Sequence, residues 1–565
     1  MVLQNCQQRA VDQSRSRSFR AMRSFLSVGI ACVLLASIAS AQFTLAHTLA
    51  ADSFSDRLGS SVAGIGEVNG DFRDDFVAGA PHDDNNGADS GSARVYSGID
   101  GSTLFTFNGD AAGDHFGAAL SGAGDVNGDG VNDIIVGAPD ANFGTGLARV
   151  FSGATGAVIH TVYGVTFFDA FGTSVSGAGD VNGDGFDDFI VGASLGDDTS
   201  DMNNIDFDTG AAYIFSGMTG LVLHSIFGDS AGDEFGCSVS GAGDVNGDGF
   251  SDVVVGAHFD DNNGINSGSV RILDGNTGIT IFTFDGDAAG DELGGSVSYA
   301  GDVNDDDYGD VIAGASGADA ARVYSGVDGT IVHTLTRGAI GIQFGSAVSG
   351  AGDVNADGFD DLIVGAQSDF VFGENSGSVS IFSGVDGSFI QILFGSSSQE
   401  RFGVSVGAAG DTNADGFDDI LVGSPLSFPL GNARVFHAPF LPVLIYQSDL
   451  ADSRLKLRWL PDGGGINSLT GTVTCDNATP GAFGHFGLSL APANILIYGF
   501  PLLLAIDSIN LIDTGNFGFG FFGEIVFPNV SRQNPFLAGS FVFIQLFEVS
   551  PIPASSNGLA LLISP

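Results

Sequence analysis

Asp125 to Asp133 reads Asp-Val-Asn-Gly-Asp-Gly-Val-Asn-Asp, and the same nine-residue pattern starts again at Asp180, Asp244, Asp302, Asp353 and Asp411. A weaker copy starts at Glu67. Seven copies at intervals of 51 to 64 residues constrain the fold more than any other feature. A unit of that length buries little core alone, so it must share its core with its neighbours.

The unit is clearest between Thr103 and Gly153. Thr103 to Phe107 reads as one strand. Phe116-Gly117 opens a second that runs toward Ala123, and Ile134 to Pro139 forms a third beyond the acidic loop. Ala148 to Gly153 forms the fourth. These runs are short, rich in Val, Ile and Phe and bounded by glycine turns, and they show no helical period. Four strands per unit, seven times over, predict an all-β seven-bladed β-propeller.

The strand count closes only if Phe43 to Leu49 is included, because no equally good linking strand follows the last unit. This N-terminal strand is therefore expected to complete the seventh blade, which removes two exposed sheet edges.

In each loop the first, third, fifth and ninth residues carry oxygen. The predicted metal ligands are Asp125, Asn127, Asp129 and Asp133; Asp180, Asn182, Asp184 and Asp188; and Asp244, Asn246, Asp248 and Asp252. They continue with Asp302, Asn304, Asp306 and Asp310; Asp353, Asn355, Asp357 and Asp361; Asp411, Asn413, Asp415 and Asp419; and Glu67, Asn69, Asp71 and Asp75. Alternate side chains of an extended loop can converge on one centre, a glycine at the sixth position allows the turn, and the seventh can offer its carbonyl. The all-oxygen shell suits Ca²⁺, whereas Mg²⁺ demands tighter octahedral geometry and zinc or iron prefers His and Cys. Up to seven Ca²⁺ ions are expected, in a structural role. The Glu67 site should be weakest, because Phe72 stands where the turn glycine belongs; Asp307 at that position in the fifth copy is better tolerated.

The chain carries 67 Asp and Glu against 18 Lys and Arg, a formal charge of -49. Nucleic acid is excluded as a partner by the lack of a basic patch. Hydrophobic residues make up 44% of the chain, enough for real cores. Arg20 and Arg23, the apolar run Phe25 to Ile38 and Ala39-Ser40-Ala41 read as an export signal over residues 1–41, with Met22 as an alternative start. No transmembrane segment is expected after its removal. Cys237 and Cys475 are the only cysteines beyond it, which is no disulfide framework.

The propeller is expected over residues 42–437, a linker over 438–450 and a C-terminal β domain over 451–565. There Asp and Glu become sparse, and runs such as Phe486 to Leu490, Ile495 to Tyr498, Phe517 to Phe527 and Phe541 to Val549 suggest a small β-sandwich.

Phe-Gly at 116–117, 171–172, 235–236, 344–345 and 402–403, with Gly-Ala-Pro at 79–81 and 137–139, resembles the FG-GAP repeat. Together with the acidic loops it is similar to the propeller of integrin alpha subunits and their bacterial relatives. The resemblance implies calcium on one face of the ring and ligands on the other, which would put the Asp83–Gly87 and Asp260–Gly264 loops and the 197–210 insert on the recognition side.

His47, His160, His224 and His333 share one repeat position, and Arg94, Arg149, Arg271, Arg322 and Arg434 share another. Recurrence of that kind favours packing and pairing over catalysis. No catalytic residue is assigned. The expected function is that of a secreted, calcium-stabilised binding or cell-surface adhesion module, monomeric, with an extracellular protein or glycan as partner. The alternative is a secreted calcium-dependent hydrolase or polysaccharide lyase, for which His82 and His258 beside the rim loops are the only pointers.

Overall fold

A computed structural model describes residues 42–196, 208–428 and 430–439, together with strand segments between 444 and 561. The expected leader and most of the 197–210 insert lie outside the described residues. The chain divides after Pro439, and Phe43–Pro439 forms one compact unit.

That unit consists of seven antiparallel four-stranded sheets. The second blade shows the pattern: Ala119–Gly124, Asp133–Ala138, Leu147–Phe151 and Val158–Tyr163 pair in sequence order. The first strands of the seven blades touch one another in succession, and Val406–Gly410 of the last touches Ser61–Gly66 of the first, so the ring is closed. These inner strands are rich in Gly, Ala and Ser because seven of them crowd around one axis. Every residue of each second strand is buried, which accounts for continuous apolar runs such as Asp-Ile-Ile-Val-Gly-Ala at 133–138. A strand covered on both faces has no reason to alternate.

The seventh blade takes its fourth strand from the start of the unit. Thr44–Ala50 pairs antiparallel with Asn432–His437, from Thr44 opposite His437 to Ala50 opposite Asn432. Leu49 and Ala51 enter the same core cluster as Phe76, Leu421 and Val435, so this junction is packed like the other six.

The Phe-Gly and Gly-Ala pairs have a shared physical cause. The Phe is a buried plug: Phe116, Phe171, Phe235, Phe344 and Phe402 are at most 1% exposed, and Leu58 and Leu293 fill the same place in blades one and five. The glycine after it meets the Gly-Ala glycine of the preceding blade. A Cβ on Gly137 would lie 2.1 Å from the Gly172 carbonyl oxygen, and one on Gly79 would lie 2.0 Å from that of Gly117. The blades are set so close that backbone touches backbone.

Helix is confined to two short turns among the described residues, Ala141–Gly144 and Ser316–Ala318, and no helix there is long and apolar enough to cross a membrane. In the C-terminal part, Leu444–Ser448 pairs with Arg454–Trp459, and Phe486–Leu490 with Ala493–Ile497. The strand expected at Phe541 to Val549 and the packing of a sandwich lie outside the described residues.

Candidate metal centres on one face of the ring

Antiparallel order places the turns between first and second strands, and between third and fourth strands, at one end of every blade. All seven acidic loops therefore share one face. The turns between second and third strands and the connections between blades share the opposite face.

Each loop is wound around its own first residue. Asp125 Oδ1 accepts from the amides of Gly128 and Asp129 at 2.7 and 3.0 Å, and its Oδ2 accepts from Gly130 at 2.8 Å. The bond from the sixth-position amide recurs at 2.9 Å for Asp180, Asp244, Asp302, Asp353 and Asp411. In the first loop Glu67 Oε1 instead accepts from Asn69, Gly70 and Asp71, one residue earlier.

The ninth-position Asp is fully buried in all seven copies. Asp133 Oδ2 accepts from the Val126 amide at 3.0 Å, and its Oδ1 accepts from Gly153 at the end of the third strand, at 3.1 Å. Asn127 Nδ2 donates to the same carboxylate at 3.1 Å, which leaves Asn127 Oδ1 as a neutral oxygen donor. The amide-to-carboxylate bonds repeat in every blade, from Gly98 to Asp75 through to Ala438 to Asp419. The ninth residue thus anchors the loop to both the second and the third strand.

Burial pushes these carboxyls up, opposed by the backbone hydrogen bonds and reinforced by the like charges at the first and fifth positions of most loops. Asp75, Asp133, Asp188, Asp252 and Asp310 rise to about 6, Asp419 to about 7 and Asp361 to about 8. Among the described residues no Lys or Arg forms an ion pair with any of the predicted ligand carboxylates; every arginine pair is made elsewhere. The one histidine ion pair to these carboxylates among the described residues is that of His437 Nε2 with Asp419, at 3.9 Å. Three carboxylates and an amide oxygen with no Lys or Arg counter-charge among the described residues are a donor set that fits a hard divalent cation.

The structure shows what three further loop positions do. The sixth position is left-handed throughout, including Phe72 at φ 65° and Asp307 at φ 68°. Phe72 holds the turn with its ring exposed, so the first loop shares the left-handed sixth position of the others although its bonds to Glu67 are displaced. The fourth position is left-handed too, and there the later loops depart from glycine: Asp305, Ala356 and Ala414 have φ 60°, 56° and 52°. The eighth position links neighbouring loops. The amides of Asp125, Asp353 and Asp411 donate to the side chains of Asp187, Asp418 and Asp74 in the next blade, at 2.7, 2.9 and 2.8 Å.

The recurrent histidines and arginines are structural, as their recurrence predicts. Nε2 of His47, His160, His224 and His333 donates to a turn carbonyl of the following blade, those of Gly98, Gly217, Asn276 and Gly384, at 3.0, 2.6, 3.0 and 2.6 Å. Arg94, Arg149, Arg271, Arg322 and Arg434 pair with Asp52, Asp110, Asp229, Asp287 and Glu400.

On the opposite face, Asp83 and Asp260 are buried and bind the hydroxyls of Ser92 and Ser269 at 2.7 and 2.6 Å. They shape their loops rather than offer a recognition surface. The same face exposes large apolar side chains: Phe54, Phe143, Phe167, Phe168, Phe372 and Phe428.

The FG-GAP repeat family profile matches residues 116–159, 171–215, 235–273, 344–382 and 402–436. These are blades two, three, four, six and seven; the unmatched blades one and five are those with Leu58 and Leu293 in place of the plug phenylalanine. Integrin alpha-5 of Xenopus laevis is 32% identical over 229 residues, 37% of this chain and 20% of that protein. Integrin alpha-V of Gallus gallus is 31% identical over 232 residues, 38% and 21% of the two chains. The chain contains an integrin-like FG-GAP β-propeller. The integrin-like region spans about a fifth of the length of these integrin relatives. The integrin-like propeller here is closed by its own N-terminal strand, and its acidic loops and its aromatic rim lie at opposite ends of the blades.

Proposed function

We propose that this chain is a secreted calcium-binding propeller that acts as a binding or cell-surface adhesion module. The observation that carries the reading is the set of loop carboxylates that no Lys or Arg pairs with among the described residues. Ca²⁺ in these loops would be held by the first-, third-, fifth- and ninth-position oxygens, and would turn mutual repulsion into a clamp across the loop and the strands it joins. The Glu67 loop would bind most weakly, since its longer first residue no longer receives the sixth-position amide.

Several features support a binding role. The leader pattern at residues 1–41 fits export, and the likeness to integrin alpha subunits fits an extracellular or cell-surface setting. The face opposite the loops combines variable connections with exposed aromatic side chains, the surface character of a protein-interaction site. A ring that closes within one chain needs no second copy, so the module is proposed to be monomeric. Its partner is an extracellular protein or glycan.

Glycan and matrix-protein arrays probed with the full chain, in calcium and in chelator, test the reading. Retention of a partner in calcium, reduced when Phe143 and Phe168 are replaced by Ser, is the expected result. Array ligands that are cleaved instead of retained would replace this reading with the hydrolase or lyase alternative.

A further inference from the structure

His82 and His115 stand on the face opposite the acidic loops, where blade one meets blade two. His82 lies in the turn between the second and third strands of blade one, and Asp89 lies in the same turn. His115 ends the connection into blade two. One ligand atom from each of His82, Asp89 and His115 lies within 4.8 Å of the others. The two imidazole centroids are 4.9 Å apart, with the rings inclined at 69°. His82 Nδ1 is 2.7 Å from Asp89 Oδ1, and His115 Nδ1 is 2.6 Å from Asp140 Oδ2. Both histidine side chains are about three-quarters covered, at 25% and 28% exposure, yet solvent still reaches them.

The backbone under these residues is fixed by the repeat. The His115 amide donates to Asp89 O at 3.2 Å, the His82 amide donates to Asp56 O at 3.2 Å, and Gly91 bridges to Phe116. Both Asp89 and His115 are left-handed, at φ 54° and 50°. Blade four carries the same scaffold, with the Glu292 amide donating to Asn266 O at 3.1 Å. There, however, the equivalents of His82, Asp89 and His115 are Phe259, Asn266 and Glu292. The fold therefore does not require imidazoles here, which sets this pair apart from the recurrent histidines that bond to a neighbouring blade.

We propose that His82, Asp89 and His115 bind one transition-metal ion of the Zn²⁺ class, distinct from the calcium loops in position and in ligand chemistry. Two imidazole nitrogens and one carboxylate favour such an ion over Ca²⁺. His115 donates its Nδ1–H to Asp140, which leaves Nε2 with the lone pair a metal needs; a carboxylate behind a ligating histidine is the usual second support of such sites. Three protein ligands leave one tetrahedral position for water. Asp140 is a positioning residue.

The test uses the full chain saturated with Ca²⁺, equilibrium dialysis against Zn²⁺ alone, and Co²⁺ as a spectroscopic probe. The variants are His82→Phe and His115→Gln, which install residues that blades four and six already carry at these places, and Asp140→Asn. The wild type should hold one more zinc equivalent than either histidine variant at low micromolar free zinc, with a visible Co²⁺ band that both variants lose. Asp140→Asn should weaken zinc binding about tenfold to 100-fold. The calcium-dependent melting temperature should be the same in all four proteins, which shows that the variants fold. Equal zinc stoichiometry in the wild type and the two histidine variants, or no zinc uptake by the wild type, overturns the proposal. Neither outcome bears on the calcium loops.

Discussion

The amide of Asp411 donates to Asp74 Oδ2 at 2.8 Å across 337 residues of sequence. This bond joins the acidic loop of the last blade to that of the first, on the same face where Asp125 bonds to Asp187 and Asp353 to Asp418. At the outer edge the junction is made a second time, by the pairing of Thr44–Ala50 with Asn432–His437. Beside the contact between the first strands of blades seven and one, ring closure is thus reinforced through a side chain at the loop face and through a strand at the outer edge.

Loss of the strand should be the graver defect. Deletion of residues 42–50 exposes an edge and uncovers the Leu421–Val435 core. We expect loss of cooperative unfolding, or oligomerisation, in calorimetry and light scattering. Asp74→Ala removes one hydrogen bond and leaves a partly buried amide unpaired, a loss of about 1–2 kcal/mol in denaturant unfolding.

The contact between blades leaves no room for a methyl group. Gly137→Ala places a Cβ against the Gly172 carbonyl, and the backbone must shift to admit it. A destabilisation of about 1–3 kcal/mol is expected by chemical denaturation, with the four-stranded blades retained by far-ultraviolet circular dichroism.

Strain at the fourth and sixth loop positions can be relieved. Left-handed backbone costs a non-glycine residue about 1–2 kcal/mol, and the extra freedom of glycine in the unfolded chain takes back about half of that. Phe72→Gly, Ala356→Gly and Ala414→Gly should each raise stability by about 0.5–1 kcal/mol, most clearly in combination. Lower stability in all three would show that the loops adopt another conformation.

The buried ninth-position carboxyls set a pH dependence for the metal-free protein. Their ordinary value is 3.8, and in the fold they rise to between about 6 and about 8. The folded state therefore holds protons that the unfolded state releases, so their contribution is full below about 3.8 and is lost as pH rises toward 8. For Asp361, the like charges of Asp357 and Asp353 add to the effect of burial. In chelator, the melting temperature should increase from pH 8 down to about pH 5. In excess Ca²⁺ the trend should reverse, because protons compete with the metal for the same oxygens.

Much of the fold was legible because repetition multiplies weak signals. One Asp-rich nonapeptide is a turn, whereas seven at a blade-sized interval fix a ring, and the surplus strand at Phe43 to Leu49 says how it closes. The histidines at 47, 160, 224 and 333 were legible as structural for the same reason. What escaped depends on neighbours in space. The left-handed fourth position is masked by Ala356 and Ala414, which carry no turn signature. The bonds from Asp74, Asp187 and Asp418 run to a different blade, and no local pattern marks them. Asp83 and Asp260 look like solvated loop residues, yet their partners, Ser92 and Arg94 for Asp83 and Ser269 for Asp260, stand on later strands. The His82–His115 pair is brought together only by the packing of blade two on blade one.

The most direct test is differential scanning calorimetry of the full chain in Ca²⁺ and in chelator at matched ionic strength. Each loop with calcium at about 100 times its dissociation constant contributes about 2.7 kcal/mol to the folded state, so occupancy of even three loops should move the transition by many degrees. A large rise in melting temperature with Ca²⁺, not reproduced by NaCl, is the predicted result. The same melting temperature in Ca²⁺ and in chelator would contradict the account.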